Sequence, residues 1–143
     1  MKKLAIIITL VLICLMMFGY KYFNFKSEYG QIKRRNAEYE SYYQKVLYGS
    51  DIATIVNRAV NDNERNDVKK DSKGLYIDNA TNSLKVDVKI TDNDKLYNME
   101  MLYNGGMTNF VTFYQDVEFE CTKIEYHQRT KNIKYMLFEQ KSE

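Results

Sequence analysis

The chain has 143 residues, and its 21 Lys and Arg against 19 Asp and Glu give a formal net charge of only +2. This length favours one small domain, and so small a charge gives no reason to expect a nucleic-acid partner. The chain has no Pro, although average usage of about 5% would give about seven, and it is rich in Lys, Asn, Ile and Tyr. This composition is typical of an AT-rich bacterial genome.

The N-terminus carries an apolar run, LAIIITLVLICLMMFGY, which extends from Leu4 to Tyr20 without a charged residue. As a helix it would measure about 25 Å, which is just enough to cross a thin hydrocarbon core. A cleaved signal peptide or a lipoprotein signal would need small residues before the cut or before Cys14, and both patterns are poor here. We therefore predict an uncleaved transmembrane signal anchor over residues 1–23, with residues 4–20 in the membrane.

The charges that flank this run bear on its orientation. Lys2 and Lys3 precede it, which favours an N-terminus inside the cell and a domain on the extracytoplasmic side of the cell membrane. Basic residues also follow the run, and the positive-inside rule counts them too: Lys21, Lys26, Lys33, Arg34 and Arg35. We expect a single-pass protein with its domain outside, and a cytoplasmic domain is the open alternative.

Residues 24–48 have a helical pattern and are predicted to form a stalk that ends at Gly49, where a left-handed backbone costs glycine little. The tyrosines near its end serve either as core residues whose hydroxyls reach the surface or as an aromatic interaction surface. The candidates for such a surface are Tyr39, Tyr42 and Tyr43.

The segment LYGSDIATIVNRAVNDNERN, residues 47–66, predicts a second helix. Ser50 is the expected N-cap, and Asp51 suits the positive end of the helix dipole. A single apolar stripe, which we expect to cover the sheet, is formed by Ile52, Ile55, Val56, Ala59 and Val60.

Acidic residues crowd the polar segment that follows, and their oxygens are ligands of the type that calcium prefers. Asp62, Glu64 and Asp67 are the calcium candidates, and residues 92–94 form a second acidic cluster. The central Gly and the closing Glu of an EF-hand are missing, and neighbouring Lys and Arg neutralise the first cluster. A solvated loop is therefore the default interpretation, and we expect no cofactor.

The second half of the chain changes to a period of two. Residues 83–90, SLKVDVKI, alternate apolar and charged side chains, which predicts a half-buried antiparallel strand. GLYI before it suggests a hairpin partner, and the other predicted elements are the strands KLYNMEMLY, EFECTKIEYH and IKYMLFEQ and a short helix near residues 107–115. Residues 49–143 are thus predicted to form an α+β domain around a small antiparallel sheet of about four to five strands.

We find no residues that would assemble a catalytic site. His127 is the single histidine and is expected to be an exposed residue at a strand end, and Cys121 is expected to be a small core residue. Zinc would need more His and Cys ligands than these two, and no phosphate-binding loop is present. We expect a protein that is not an enzyme.

An apolar N-terminal helix that leads into an α+β domain resembles the architecture of type IV pilins and pseudopilins. The resemblance extends to GSDIATIVNRAVND, because small pilin-like proteins of low-GC bacteria often have a glycine and a Ser or Thr opening such a helix. It implies a subunit of a pilin-like or secretion apparatus, with partners or self-association through the N-terminal helix. Glu28 departs from the family pattern, since it follows the apolar run. The alternative is a membrane-anchored ligand- or protein-binding module with a tyrosine-lined cleft between the sheet and the second helix.

Overall fold

The computed structural model of the protein describes residues 2–91 and 94–141. The chain divides into two compact units between Arg35 and Asn36. The predicted α+β fold class is confirmed, since a long apolar N-terminal helix and a shorter helix accompany a five-stranded sheet. We refer to the second unit, which begins at Asn36, as the domain.

Helix α1 extends over Lys2–Glu40. In the part of the chain that the structure describes, it is the one helix long and apolar enough to cross a membrane. The predicted continuation of this helix to Tyr48 is wrong. The Ser41 hydroxyl donates to the Glu38 carbonyl oxygen at the last turn, and Gln44 has a φ of 55°. The chain therefore leaves the helix and enters a short strand, β1, over Val46–Tyr48.

Helix α2, Gly49–Arg65, begins two residues earlier than an N-cap at Ser50 predicts. Its N-cap is Tyr48, whose N–H donates to the Asp51 carboxylate over 2.8 Å, so the prediction that Ser50 is the cap is wrong. Gly49 serves close packing instead of a left-handed turn, because a Cβ atom at this position would collide with the backbone carbonyl of Tyr114.

The other strands of the sheet are β2 (Lys85–Ile90), β3 (Lys95–Asn98), β4 (Glu118–Tyr126) and β5 (Ile133–Gln140). Their order across the sheet is β1-β4-β5-β2-β3. Three neighbouring pairs are antiparallel, but β2 and β5 are parallel, with Val86 opposite Met136. The prediction of a purely antiparallel sheet is therefore wrong in this pair. Parallel strands need a crossover, and the long connection from β2 to β5 supplies one.

Two predicted strand segments have other structures. GLYI forms no strand, and Tyr76 only makes an isolated bridge with Lys70. Strand β3 ends at Asn98, whose side chain accepts from the Met101 N–H and so starts a helical run. That run consists of α3 (Met99–Met101), a segment (Leu102–Gly106) that is kinked at Gly105, where φ is 148°, and α4 (Met107–Tyr114), which confirms the predicted short helix.

The core lies between one face of the sheet and the helices that follow β1. The α2 stripe packs in one cluster with inward residues of the central strands, such as Val88 and Phe138, and with Phe110 from α4. The expectation that the stripe covers the protein's own strands is confirmed, because all five stripe residues are buried. Charged side chains such as Lys85 and Asp87 lie on the opposite face of β2.

Candidate functional site

The structure gives the three candidate tyrosines three different environments. Tyr39 is only 1% exposed, and its hydroxyl donates to the Asp62 carboxylate over 2.8 Å. Tyr42 is half-buried, and its hydroxyl oxygen lies 3.4 Å from the Arg58 guanidinium. Tyr43 is 43% exposed. Tyr39 is thus a core residue that ties the end of α1 to α2, and the candidate surface is reduced to Tyr42 and Tyr43.

A polar groove of about 550 Å³ lies beside these tyrosines, between the last turn of α1 and the outer face of α2. Glu38 and Arg58 form an ion pair across it. Both side chains are more than a third exposed, so water and salt screen this pair, and it contributes little to stability. The groove carries both signs of charge along its wall, and its lining residues are Glu38, Thr54, Asn57, Arg58, Asn61, Asp62 and Arg65.

The three calcium candidates do not converge on one point. Asp62 accepts the Tyr39 hydroxyl, and Glu64 accepts the Tyr76 hydroxyl and pairs with Lys70 at 3.8 Å. Asp67 lies beyond the helix, exposed and with a φ of 52°. Among residues 2–91 and 94–141, no group of three or more His, Cys, Asp or Glu side chains could hold a metal ion.

The second acidic cluster is only partly described. Asp92 and Asn93 lie outside the described residues. Asp94 lies 3.5 Å from the Lys89 ammonium group, which neutralises its carboxylate. The described part of this turn therefore gives no support for a cation site.

The space between the sheet and α2, where a tyrosine-lined cleft was the alternative prediction, is filled with packed side chains. Tyr76 is 3% exposed there, and its hydroxyl contacts the Val60 carbonyl oxygen at 3.4 Å. Tyr97 and Tyr114 are partly buried and pack around Phe110, with ring centroids 6.2 Å and 5.3 Å from its ring. These three tyrosines therefore complete the core.

A set of buried polar side chains ties the segment before β2 to the rest of the domain. The Asn63 amide accepts from the Leu84 N–H over 2.8 Å and donates to the Leu84 carbonyl oxygen over 2.7 Å. The Glu100 carboxylate, 6% exposed, accepts the Tyr76 N–H over 3.0 Å. These bonds satisfy backbone groups of a segment that has almost no regular secondary structure.

His127 belongs to the same set, and the expectation that it is exposed is wrong. Its side chain is buried, with Nε2 2.7 Å from the Ser83 carbonyl oxygen. Asn132 is buried beside it and donates to the Thr81 carbonyl oxygen. Sequence reasoning missed these residues because no local pattern marks a polar side chain whose partner lies about fifty positions away.

Cys121 and Asp87 are among the residues of the sheet whose pKa values are shifted. Burial raises the pKa of the Cys121 thiol to about 11, so this side chain is a protonated core residue at neutral pH, as the sequence indicated. On the other face, burial raises the pKa of the Asp87 carboxyl, while the Tyr135 hydroxyl donates to it over 3.0 Å. Both groups serve packing and hydrogen bonding within the sheet.

Comparisons with protein-family models, with curated proteins and with solved structures give no match for this chain. The arrangement of its own residues therefore carries the functional argument. Its two features are a domain whose core is filled by its own side chains and a long helix whose large apolar side chains from Leu4 to Phe25 are exposed.

Proposed function

We propose that this chain is a non-enzymatic bacterial envelope protein, anchored in the cell membrane by α1 with its domain on the extracytoplasmic side. The exposure of α1 carries this proposal. Its large apolar side chains from Leu4 to Phe25 are each between 47% and 73% exposed. Apolar surface in water costs about 25 cal/mol per Å², so lipid or other helices must cover this length of helix.

The domain supports the same conclusion, because it does not need the apolar run for its own core. The α2 stripe and the inner face of the sheet supply that core, and Tyr39 completes it from the end of α1. An apolar run that the domain does not use is free to serve as an anchor.

Within the envelope, we propose a role as a subunit of a pilin-like or secretion assembly. The layout of an apolar helix before an α+β domain supports this role. The alternative of a ligand-binding module depended on a tyrosine-lined cleft, and packed side chains occupy that position. Such a module would have to use the polar groove on α2 instead.

Fractionation and protease accessibility test the anchor and its orientation separately. Full-length protein in bacterial membranes should resist extraction by alkaline carbonate, as an integral span does. Protease added to spheroplasts should then digest the domain without lysis. Release by carbonate would overturn the anchor, and digestion only after lysis would place the domain in the cytoplasm.

A further inference from the structure

Helix α1 carries an apolar stripe that continues past the membrane-spanning run. Between residues 21 and 35, where polar side chains dominate, Tyr22, Phe25, Tyr29 and Ile32 follow one another at steps of three, four and three. Alternating steps of this kind form the seam of a left-handed coiled coil. The rings of Phe25 and Tyr29 stack with centroids 6.3 Å apart, so these two side chains share one face.

The same spacing extends back through the apolar run. We define the seam as Leu4, Ile8, Val11, Leu15, Phe18, Tyr22, Phe25, Tyr29 and Ile32. Its members from Leu4 to Tyr29 are between 52% and 72% exposed. Apolar residues occupy nearly every position of the run, on all sides of the helix, so the spacing there is compatible with a seam but does not select one face. The spacing distinguishes one face of the helix only beyond the membrane, because Phe23 is the one other large apolar residue between 21 and 35.

The seam ends where the helix enters the domain. The next two positions of the repeat are Asn36 and Tyr39. The Asn36 side chain donates to the Lys131 carbonyl oxygen and accepts from the Ile133 N–H. Tyr39 is buried in the domain core. The residues up to Ile32 are therefore the part of the repeat that remains for a partner.

We propose that this seam pairs with the seam of a second copy of the chain as a parallel two-stranded coiled coil. The inference rests on the proposed function in one respect. Two copies anchored with the same orientation in one membrane have parallel helices, and each copy presents the same stripe at the same depth. A self-complementary stripe of this kind is what a two-fold symmetric dimer requires.

Charge complementarity beside the seam favours a second copy of the chain as the partner. In a parallel coiled coil, a residue directly before an a position of the seam, here Tyr22 or Tyr29, lies beside the partner's residue directly after the next d position, here Phe25 or Ile32. This rule places Glu28 of one copy beside Lys33 of the other, and the two-fold symmetry repeats the pair. Lys21 and Lys26 form a like-charge pair by the same rule, but they lie next to the membrane surface, where anionic headgroups neutralise lysines.

Disulfide cross-linking with a matched control tests the seam. The full-length chain with Cys14→Ser is placed in vesicles of phosphatidylethanolamine and phosphatidylglycerol, where Cys121 is silent because it is buried. Phe25→Cys lies on the seam, and Phe23→Cys, two residues away and slightly more exposed, does not. We expect oxidation to link Phe25→Cys into dimers roughly tenfold faster than Phe23→Cys. Equal rates, or a faster reaction at position 23, would overturn the seam.

Charge reversal tests the register and the identity of the partner. In energy-transfer measurements on the same vesicles, Glu28→Lys and Lys33→Glu should each weaken dimerisation about tenfold, because two attractive pairs become repulsive. The double variant should recover the affinity of the original chain. A double variant as weak as the single ones would overturn the parallel pairing.

The outcomes for the dimer and for the anchor are separable. A chain that floats with the vesicles but stays monomeric at all protein densities overturns the coiled coil, and it leaves the proposed function standing. A chain that does not float with the vesicles contradicts the anchor itself.

Discussion

Helix α1 passes through both units of the chain, and two of its aromatic residues show how differently the units treat apolar side chains. In the first unit Phe25 is 68% exposed, whereas Tyr39 in the domain is 1% exposed. Both lie on the same helix, in the same repeat. Burial thus depends on what surrounds the residue, and apolarity alone does not determine it.

Polar groups differ between the units as well. The domain buries Asn63, Glu100 and His127, and hydrogen bonds join each of them to backbone groups of distant segments. All the described polar side chains that are buried lie in the domain. The stability of the domain should therefore depend on individual buried contacts. The behaviour of the first unit should depend on whether water or lipid surrounds it.

The largest expected effect is that of Ile55→Asp on the domain. Ile55 is 1% exposed within the α2 stripe, and an unpaired carboxylate at such a position costs several kcal/mol, which is comparable to the whole stability of a small domain. The domain should unfold, as measured by loss of its cooperative thermal transition. Thr54→Asp, at the exposed neighbouring position, is the control and should keep that transition.

Val11→Arg should weaken membrane association and leave the domain folded, which is the converse of the effect of Ile55→Asp. Arginine at the middle of the apolar run opposes membrane insertion by about 2.5–3.5 kcal/mol, but Val11 lies in the first unit and is 53% exposed. We expect membrane association to fall while the melting temperature of the domain stays unchanged, measured by flotation and by circular dichroism. A lower melting temperature would mean that the domain depends on the apolar run.

Asn63→Ala tests the buried polar set. It removes both hydrogen bonds to Leu84 and leaves a buried N–H and a buried carbonyl without partners, so it should destabilise the domain by about 2–4 kcal/mol. Asn61→Ala on the exposed side of the same helix is the matched control and should change the free energy of unfolding little. Denaturant unfolding measures both, and similar values for the two variants would contradict the proposed role of Asn63.

Elements whose apolar spacing is visible within a short stretch of sequence were predicted correctly. The apolar stripe of α2 and the alternation over Val86, Val88 and Ile90 are visible within a few residues, and both elements lie where the spacing indicated. Strand β1 was missed because three residues are too few to show a period of two. Leu47 is the buried residue of this strand, and it lies opposite Phe119, which is far along the chain.

Non-local features account for the other errors. The parallel pairing of β2 with β5 follows from a crossover that no short window contains. The burial of His127 depends on Ser83, 44 positions earlier. For Tyr39 the sequence left both a core position and an interaction surface open, and its burial against the domain, with its hydroxyl on Asp62 of α2, identifies it as a core residue.

The smallest of the expected effects concerns the start of α2, where the sequence pattern favoured Ser50 as the N-cap and the structure has Tyr48 there. The Asp51 carboxylate accepts the Tyr48 N–H and lies near the positive end of the helix dipole, so Asp51→Ala should cost about 1 kcal/mol. The Ser50 side chain makes no capping bond here, and Ser50→Ala should change the free energy of unfolding by only a few tenths of a kcal/mol. Denaturant midpoints of the two variants compare them directly. If Ser50→Ala proved the more destabilising of the two, the helix would begin where the sequence pattern placed it, and the capping role assigned to Asp51 would be wrong.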